Sequence, residues 1–251
     1  MSFHRLIADD GETLDPLELV TAEHRPPHTD RPWLFTNMVV TLDGATAVDG
    51  VSGAIGDDDD RLMFRALRAS ADAILVGSRT ANVEAYRPPQ RSAEVDRARA
   101  TAGRNERPLI AVVSASLSID LSIELFTDPD YRPMVFTVDS APADRRARLA
   151  EVADVVDIGD GTGVDLRLAL GHLASTGHRT VLSEGGPSLN GQLIANDLID
   201  EWNLTIAPTL ASGDAARPAH GDASPDLRTL DLDRCWMGDH AMFCRWVRQT
   251  S

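Results

Sequence analysis

Two glycine-containing turns follow apolar, strand-like segments and suit the binding of a phosphate group. The first is Gly77-Ser78-Arg79-Thr80, and the second is Glu184-Gly185-Gly186-Pro187. Glycine lets backbone amides approach a phosphate closely, and Pro187 fits the first position of a helix whose free N–H groups would face the ligand. An acid beside paired glycines has no evident structural purpose, so Glu184 is a candidate for contact with substrate. Either turn could also be a strand-to-helix connection without a ligand.

A second acidic candidate follows the apolar segment from Trp33 to Thr41. Thr41 and Asp43 would share one face at the end of this strand, and Asp43 could also simply start a turn with Gly44. In the functional interpretation, Asp43 and Glu184 hold the substrate and one of them relays a proton.

Other patterns exclude several kinds of site. All 24 basic residues are arginine, which excludes a Walker-type phosphate loop and a lysine nucleophile. The histidines and the two cysteines form no metal-ligand pair, so no metal is expected, and Cys235 and Cys244 are interpreted as free thiols. The run from Gly159 to Gly163 lacks the dinucleotide spacing and is interpreted as a solvated turn. The acids from Asp57 to Asp60 enter a helix and are explained by its dipole.

The bulk composition predicts one globular domain without nucleic-acid or membrane partners. The chain has 251 residues, and a formal net charge of -15 repels nucleic acid and anionic membrane surfaces. No stretch approaches the roughly 18 apolar residues that a membrane span needs. The first fifteen residues lack the apolar core of a signal peptide. These features together indicate a cytoplasmic protein.

Strand-like and helix-like segments alternate along most of the chain. A polar, proline-rich arm at residues 1–31 is expected to be loosely attached, and one domain follows at 32–251. The alternation indicates an α/β fold with a mainly parallel sheet and helices on both faces, and three late strand-like segments predict antiparallel edge strands. Predicted strands are Trp33 to Thr41, Ala73 to Val76, Leu109 to Val113, Met134 to Val138, Val152 to Val156, Thr180 to Leu182, Glu201 to Ala207, Leu227 to Met237 and Ala241 to Val247.

Four amphipathic segments predict helices between these strands. They are Asp59 to Ala71, Asp144 to Glu151, Val164 to Ser175 and Ser188 to Asn196. Residues 87–107 are rich in arginine, weakly hydrophobic and too long for an ordinary connection, so they are expected to form a binding loop or a disordered insertion.

Three motifs, taken in order, resemble one enzyme family. They are Val40-Thr41-Leu42-Asp43-Gly44, Leu67-Arg68-Ala69 with Asp72 to Gly77, and Glu184-Gly185-Gly186-Pro187 followed by Ile206-Ala207-Pro208. The set resembles the riboflavin-biosynthesis reductase family, the reductase half of bifunctional deaminase-reductases, over residues 33–248. The resemblance implies a three-layer dihydrofolate-reductase-like fold and a homodimer. It also implies NADPH-dependent reduction of 5-amino-6-(5-phosphoribosylamino)uracil by hydride transfer to ribose C1′.

The resemblance further implies roles for individual residues. Arg79 is a candidate for the 2′-phosphate of NADPH, and Arg68 with Arg87 or Arg91 would neutralise the substrate phosphate. The implied cofactor contacts are Ala54, Gly77, Ser78, Arg79, Thr80, Glu84, Gly185, Gly186, Pro187, Ser188 and Leu189. The implied substrate contacts are Thr41, Ser52, Arg68, Arg87, Arg91 and Glu184, with Asp43 and Glu184 as the catalytic acids.

Two departures from the family pattern leave the substrate open. The family commonly has Asp-Asp-Pro followed by an arginine, where this chain has Glu84-Ala85-Tyr86-Arg87-Pro88. It also often has an aromatic residue at the position of Ala54. A changed pocket could accept a different ring, so a dihydrofolate or pterin reductase on the same fold is one alternative. A non-catalytic NADP-binding regulator is another.

Overall fold

A nine-stranded sheet forms the centre of the protein. The computed structural model describes residues 15–47, 53–161, 163–221 and 227–249. In chain order the strands are β1 Trp33–Thr41, β2 Ala73–Gly77, β3 Leu109–Val113, β4 Met134–Thr137, β5 Asp154–Asp157, β6 Thr180–Ser183, β7 Glu201–Ala207, β8 Asp231–Met237 and β9 Met242–Val247.

Eight helices connect or flank these strands within the described residues. They are α1 Pro16–Thr21, α2 Asp58–Ala69, α3 Ser78–Val83, α4 Ala93–Thr101, α5 Glu124–Thr127, α6 Ala143–Val152, α7 Leu166–Ser175 and α8 Pro187–Ala195. None of them is both long and apolar enough to span a membrane.

The strand order creates a switch point between β2 and β6. The sheet runs β5-β4-β3-β2-β6-β1-β7-β9-β8, with all pairs parallel except those that involve β9. From β2 the chain passes through α3 and α4 to β3 on one side, whereas from β6 it passes through α8 towards β7 on the other side. Because such crossovers are right-handed, α3 and α8 cover opposite faces of the sheet. Ligands of open α/β sheets bind in the crevice at this kind of point.

Burial on both faces explains why the central strands are continuous apolar runs. Ala73 to Val76 in β2 and Ile110 to Val112 in β3 have no exposed surface. The predicted mainly parallel sheet, with antiparallel strands at its C-terminal edge, is confirmed, with boundaries that differ by a few residues. The largest shifts are in β5 and β8, which begin at Asp154 and Asp231.

Residues 87–107 are not a loose insertion, which corrects the sequence-based expectation. They contain α4, which contacts both α1 and α2. Arg99, 1% exposed, donates from Nη1 to the carbonyls of Ala69 at 2.9 Å and Ala71 at 2.7 Å, and from Nε to that of Asn105 at 2.7 Å. The arginine therefore joins this segment to the end of α2.

The segment from residue 15 to residue 31 is also firmly attached, contrary to expectation. Arg25 donates to Glu201 at 2.9 and 2.8 Å, and Arg31 donates to Asp200 at 2.5 and 2.8 Å. All four side chains are buried. Two arginines of this polar, proline-rich segment thus pair with acids at the start of β7.

Candidate functional site

The two predicted phosphate-binding turns meet at the switch point. The amide of Gly77 donates to the carbonyl of Gly185 at 2.7 Å. A Cβ atom on Gly186 would lie 2.5 Å from Oγ1 of Thr80, closer than such contacts occur in proteins. Gly185 has a φ of +76°, which favours glycine. Gly185 therefore favours glycine through its backbone conformation, and a side chain at position 186 would have to displace the Thr80 hydroxyl.

The start of α8 presents free backbone amides at this crevice. Gly186 is the N-cap residue and Pro187 the first helical residue, and no side chain in the described structure caps this end. Ser188 is exposed, whereas the Leu189 side chain is buried in the core, so Leu189 can serve a ligand only through its backbone. The amides of the first turn have no partner within the helix and favour an anion.

Glu184 lies at the carboxyl end of β6 and is bonded by two side chains. Arg68 donates from Nε to Oε1 and from Nη2 to Oε2, both at 2.7 Å, and the Tyr86 hydroxyl donates to Oε2 at 2.5 Å. The Arg68 guanidinium also lies over the rings of Phe64, at 4.2 Å, and Tyr86, at 5.4 Å. This bidentate, aromatic-covered arrangement fixes the Glu184 carboxylate in one orientation.

The electrostatics of this cluster keep its donors protonated. Burial raises the pKa of Tyr86 well above its ordinary value, and the negative charge of Glu184 raises it further. Burial lowers the pKa of Arg68, but Glu184 outweighs this effect and the net shift is upward. Tyr86 is thus a positioning residue for Glu184. Two of the three Arg68 nitrogens already bond Glu184, which disfavours Arg68 as a clamp for a substrate phosphate.

Thr41 and Asp43 are occupied by the turn in which they lie. Thr41, 2% exposed, donates to Asp43 at 2.5 Å, and the amides of Ala211 and Ser212 donate to Asp43 at 3.1 and 2.6 Å. These hydrogen bonds lower the pKa of Asp43 to about 2. Asp43 is therefore ionised at neutral pH, which disfavours its predicted role as a proton relay.

The register also separates Asp43 from Glu184. The last paired row of β1 and β6 is Thr36↔Ser183, and β1 continues five residues beyond Thr36, to Thr41, before the turn that holds Asp43. At about 3.3 Å per residue this is roughly 16 Å along the strand. Asp43 instead borders a cavity of about 230 Å³ together with Gly44, Ser212, Gly213, Arg217 and Pro218.

The remaining predicted contacts differ in their exposure and in the residues with which they pair. Arg91 pairs with Asp96 at 2.9 Å and also with Glu106, so a role in binding substrate phosphate is disfavoured. Arg79 and Arg87 are exposed, as are Ala54 and Glu84. Ser78 begins α3 next to Gly77. Ser52 lies outside the described residues.

Two residues near the site were not predicted from the sequence. Asn37 follows the Thr36↔Ser183 row, so it lies beside Glu184 in the neighbouring strand and on the same face of the sheet. Ser114 follows Val113, which pairs with Gly77. Its hydroxyl is buried and has no hydrogen-bond partner among the described residues. Both residues could have been found from their positions in the sequence, because each is a polar residue close to the end of an apolar strand.

Metal chemistry has no candidate site in the described part of the chain, where no three metal-ligating side chains come together. Cys235 and Cys244 are free thiols whose sulfur atoms lie 3.7 Å apart on paired strands. Burial raises the pKa of Cys244 to about 12. These thiols lie at the β8–β9 edge of the sheet, away from the switch point.

Comparison with known proteins identifies a family for this chain. The sequence profile described as the RibD C-terminal domain matches residues 32–241. The chain belongs to the RibD C-terminal domain family. The resemblance stated from its motifs is thus confirmed. A 2,5-diamino-6-ribosylamino-4(3H)-pyrimidinone 5′-phosphate reductase from Methanothermobacter thermautotrophicus is 34% identical, over 82% of this chain and 93% of that protein.

Other RibD-family relatives support the same fold and class of enzyme. A reductase of the same name from Archaeoglobus fulgidus is 30% identical, over 73% of this chain and 83% of that protein. A crystal structure of a pyrimidine reductase-like protein from Corynebacterium diphtheriae has a TM-score of 0.81 and 28% identity, and covers 95% of this chain and 100% of that one. The α/β fold is therefore that of the RibD reductases, and the curated relatives are oxidoreductases of riboflavin biosynthesis.

Proposed function

We propose that this protein is an NADPH-dependent reductase of a phosphoribosylamino-pyrimidine. The observation that carries the proposal is the contact between the two glycine turns at the switch point, directly beside the Glu184 carboxylate. An anion-binding surface and a fixed carboxylate at one crevice suit a nucleotide cofactor and a polar heterocycle.

The residues at the crevice fit a nicotinamide nucleotide. The space beside Gly186 would be filled by any Cβ atom, and the buried Ser114 hydroxyl is available for a polar ligand. The amides of Ser188 and Leu189 would hold the pyrophosphate, with Gly77, Ser78 and Thr80 on the facing turn. Arg79, Ala54 and Glu84 remain proposed cofactor contacts. When bound, the nicotinamide ring supplies a hydride.

The protein's own contribution is to bind and orient the pyrimidine and its sugar. The Glu184 carboxylate accepts hydrogen bonds from substrate N–H or O–H groups, because Arg68 and Tyr86 prevent it from turning away. Asn37, beside it, offers both a donor and an acceptor. Exposed Arg87 is the proposed partner of the substrate phosphate, since Arg68 and Arg91 are paired with carboxylates. The bound cofactor would supply a hydride to C1′ of the open-chain imine form of the sugar, whose C=N bond becomes a single bond as the nitrogen takes up a proton from water. These contacts would hold C1′ beside the cofactor.

A spectrophotometric comparison tests the function. Purified protein is mixed with NADPH and, separately, with the phosphoribosylamino-pyrimidinone, its uracil counterpart and dihydrofolate. The proposal expects loss of reduced-nicotinamide absorbance with a phosphoribosylamino-pyrimidine. Oxidation with dihydrofolate alone would show a pterin reductase, and constant absorbance with all three, despite tight NADPH binding, would show a regulator. The names of the curated relatives favour the pyrimidine.

The proposal extends to the oligomeric state, cellular location and partners of the enzyme. We expect a homodimer that acts in the cytoplasm and that binds neither nucleic acid nor membrane surfaces, since the net charge is -15. Light scattering at several protein concentrations would test the dimer.

A further inference from the structure

Asn190, in the first turn of α8, is a buried polar side chain directly beneath Gly185 and Gly186, here called the 185–186 turn. Asn190 has no exposed surface, and a Cβ atom on Gly185 would lie 3.2 Å from Nδ2 of Asn190. A buried amide costs free energy unless its donor and acceptor groups are hydrogen-bonded. The partners of Asn190 therefore show which parts of the protein it holds together.

The oxygen of the Asn190 amide fixes the 185–186 turn through Ser183. The Ser183 hydroxyl donates to Asn190 Oδ1 at 3.2 Å and accepts from the amide of Gly185 at 3.3 Å. The carbonyl of Gly185 accepts from the amide of Gly77. The N–H and the C=O of Gly185 are thus both held. The turn is therefore fixed immediately before the helix start whose free amides face the crevice.

The nitrogen of the Asn190 amide holds the segment from residue 209 to residue 221, here called the 209–221 segment. Nδ2 of Asn190 donates to the carbonyl of Pro218 at 2.9 Å. The segment contains no helix or strand, and none of its residues is buried. Because no apolar side chain anchors the segment in the core, its position depends on a small number of hydrogen bonds.

The 209–221 segment also passes closely against the side of α8 next to Asn190. The amide of His220 donates to the carbonyl of Pro187 at 2.9 Å. A Cβ atom on Gly191 would lie 2.2 Å from the backbone oxygen of His220, so the segment would have to move. Glycine lowers stability inside a helix. The close packing of the segment explains why glycine occurs at this position.

The turn after β1 bonds the other part of the 209–221 segment. Two amides of the segment donate to Asp43. The carbonyl of Ala216 accepts from the amide of Thr46 at 3.2 Å and from its hydroxyl at 2.8 Å. The segment thus joins the end of β1 to the start of α8.

We propose that Asn190 is a positioning residue that couples NADPH binding to the docking of the 209–221 segment. A continuous chain of hydrogen bonds runs from the segment through Asn190 and Ser183 to Gly185. A bound pyrophosphate would hold the 185–186 turn from the crevice, and the docked segment holds the same turn from behind. Because such coupling is reciprocal, the docked segment strengthens cofactor binding and the cofactor stabilises the docked segment. This inference rests on the proposed function, through the position of the cofactor.

Two variants break this chain of contacts at different points. Asn190→Leu keeps the approximate size of the side chain and removes its hydrogen bonds. Gly191→Ala keeps Asn190 but displaces the 209–221 segment from α8, and it should fold because alanine favours a helix. Each variant is expected to raise the Kd of NADPH, measured by fluorescence titration, about tenfold. Asn196→Leu is the matched control with an unchanged Kd, because Asn196 is exposed at the end of the same helix and its side chain bonds only the carbonyl of Gln192 in the described contacts.

Hydrogen exchange measures the coupling without any turnover. In the wild type, saturating NADPH should slow the exchange of amides in the 209–221 segment at least about fivefold. In Asn190→Leu and Gly191→Ala these amides should exchange faster, and NADPH should no longer slow them. A general loss of stability would also speed exchange in the buried strand β3, whereas the proposed role leaves exchange in β3 unchanged.

The outcomes separate this inference from the proposed reaction. NADPH binding with this exchange pattern, but without turnover of any phosphoribosylamino-pyrimidine, would reject the reaction and support the role of Asn190. Turnover with the same Kd of NADPH in the wild type and in both variants would support the reaction and overturn the role of Asn190. Exchange in the 209–221 segment of the wild type that does not respond to NADPH would overturn it as well.

Discussion

Gly186 lies against the side chain of Thr80 on the facing turn. Its missing Cβ would lie 2.5 Å from the Thr80 hydroxyl oxygen. Gly186→Val is therefore expected to separate the two turns and to weaken NADPH binding about tenfold or more, which corresponds to about 1.4 kcal/mol. Fluorescence titration of NADPH measures the change directly.

The matched control for that substitution is Gly163→Ala. A Cβ at Gly163 meets no atom within 4 Å, and this residue follows β5, away from the switch point. Its cofactor affinity should equal that of the wild type. Unaltered NADPH affinity in Gly186→Val would contradict the proposed position of the pyrophosphate.

Tyr86 offers a test of how Glu184 is held. Tyr86→Phe removes one hydrogen bond to a charged carboxylate, which contributes about 1.5–3 kcal/mol. We expect KM for the pyrimidine to rise about tenfold or more, a smaller change in kcat, and no change in the Kd of NADPH. Steady-state kinetics together with cofactor titration separate these effects.

Tyr131→Phe serves as the comparison for Tyr86→Phe. The Tyr131 hydroxyl accepts from the amide of Ile110 at 2.6 Å and donates to the carbonyl of Pro108 at 2.8 Å. Both partners lie at the start of β3, at the opposite end of the strand from Ser114. This variant should lower Tm without a change in KM, and a purely structural role for Tyr86 would give the same pattern.

At the scale of elements, α4 depends on a buried arginine. Arg99→Ala leaves the carbonyls of Ala69 and Ala71 without their donor and opens a cavity beside α2. The expected loss is about 2–4 kcal/mol in the free energy of unfolding. Urea denaturation measures it, with Arg97→Ala, an exposed position on the same helix, expected to change stability by less than about 0.5 kcal/mol.

The same arginine shows where prediction from sequence succeeds and where it fails. Strands such as Ala73–Gly77 were predictable because burial on both faces leaves a continuous apolar run. Helix α4 was not, since its buried residue is a charged arginine that bonds distant carbonyls. The segment at 15–31 was misjudged for a similar reason, because Arg25 and Arg31 are buried through pairing with Glu201 and Asp200.

In the candidate site, too, features with a local sequence signal were predictable and contacts between distant residues were not. The glycine turns were predictable because their signals are local in the sequence, and motif order supplied Arg68 and Glu184. Contacts between residues far apart in the chain could not be read in advance. The pairing of Arg68 with Glu184 spans 116 residues, and that of Tyr86 with Glu184 spans 98.

At the scale of the whole molecule, a buried ionic network joins the N-terminal segment to the sheet. Glu201 accepts hydrogen bonds from Arg25 at 2.9 and 2.8 Å and from Arg245 at 3.0 Å. Burial raises the pKa of Glu201, but the two guanidinium groups outweigh burial and lower it to about 2 from an ordinary 4.5. A lowered pKa in the folded state means that this carboxylate stabilises the protein above about pH 4.5.

The pH dependence of unfolding should reveal this network. As the pH falls from about 4.5 towards 2, the wild type should lose about 3 kcal/mol of stability through Glu201 alone. Glu201→Gln should cost about 3–5 kcal/mol at neutral pH, because it leaves buried guanidinium groups uncompensated, and should show a shallower acid limb. Urea denaturation between pH 2 and 7 measures both effects, with Glu151→Gln, at an exposed position, as the control. Parallel acid limbs for the wild type and Glu201→Gln would contradict the assignment.

Transfer of deuterium from the cofactor to the substrate tests the proposed hydride transfer to C1′. NADPH that carries deuterium at the transferred position of nicotinamide C4 is incubated with the enzyme and with 2,5-diamino-6-ribosylamino-4(3H)-pyrimidinone 5′-phosphate. The product is then examined by NMR. We expect one deuterium at C1′ of a ribityl chain for each cofactor molecule that is oxidised. Oxidised cofactor with deuterium elsewhere in the product, or no oxidation with any phosphoribosylamino-pyrimidine, would contradict it.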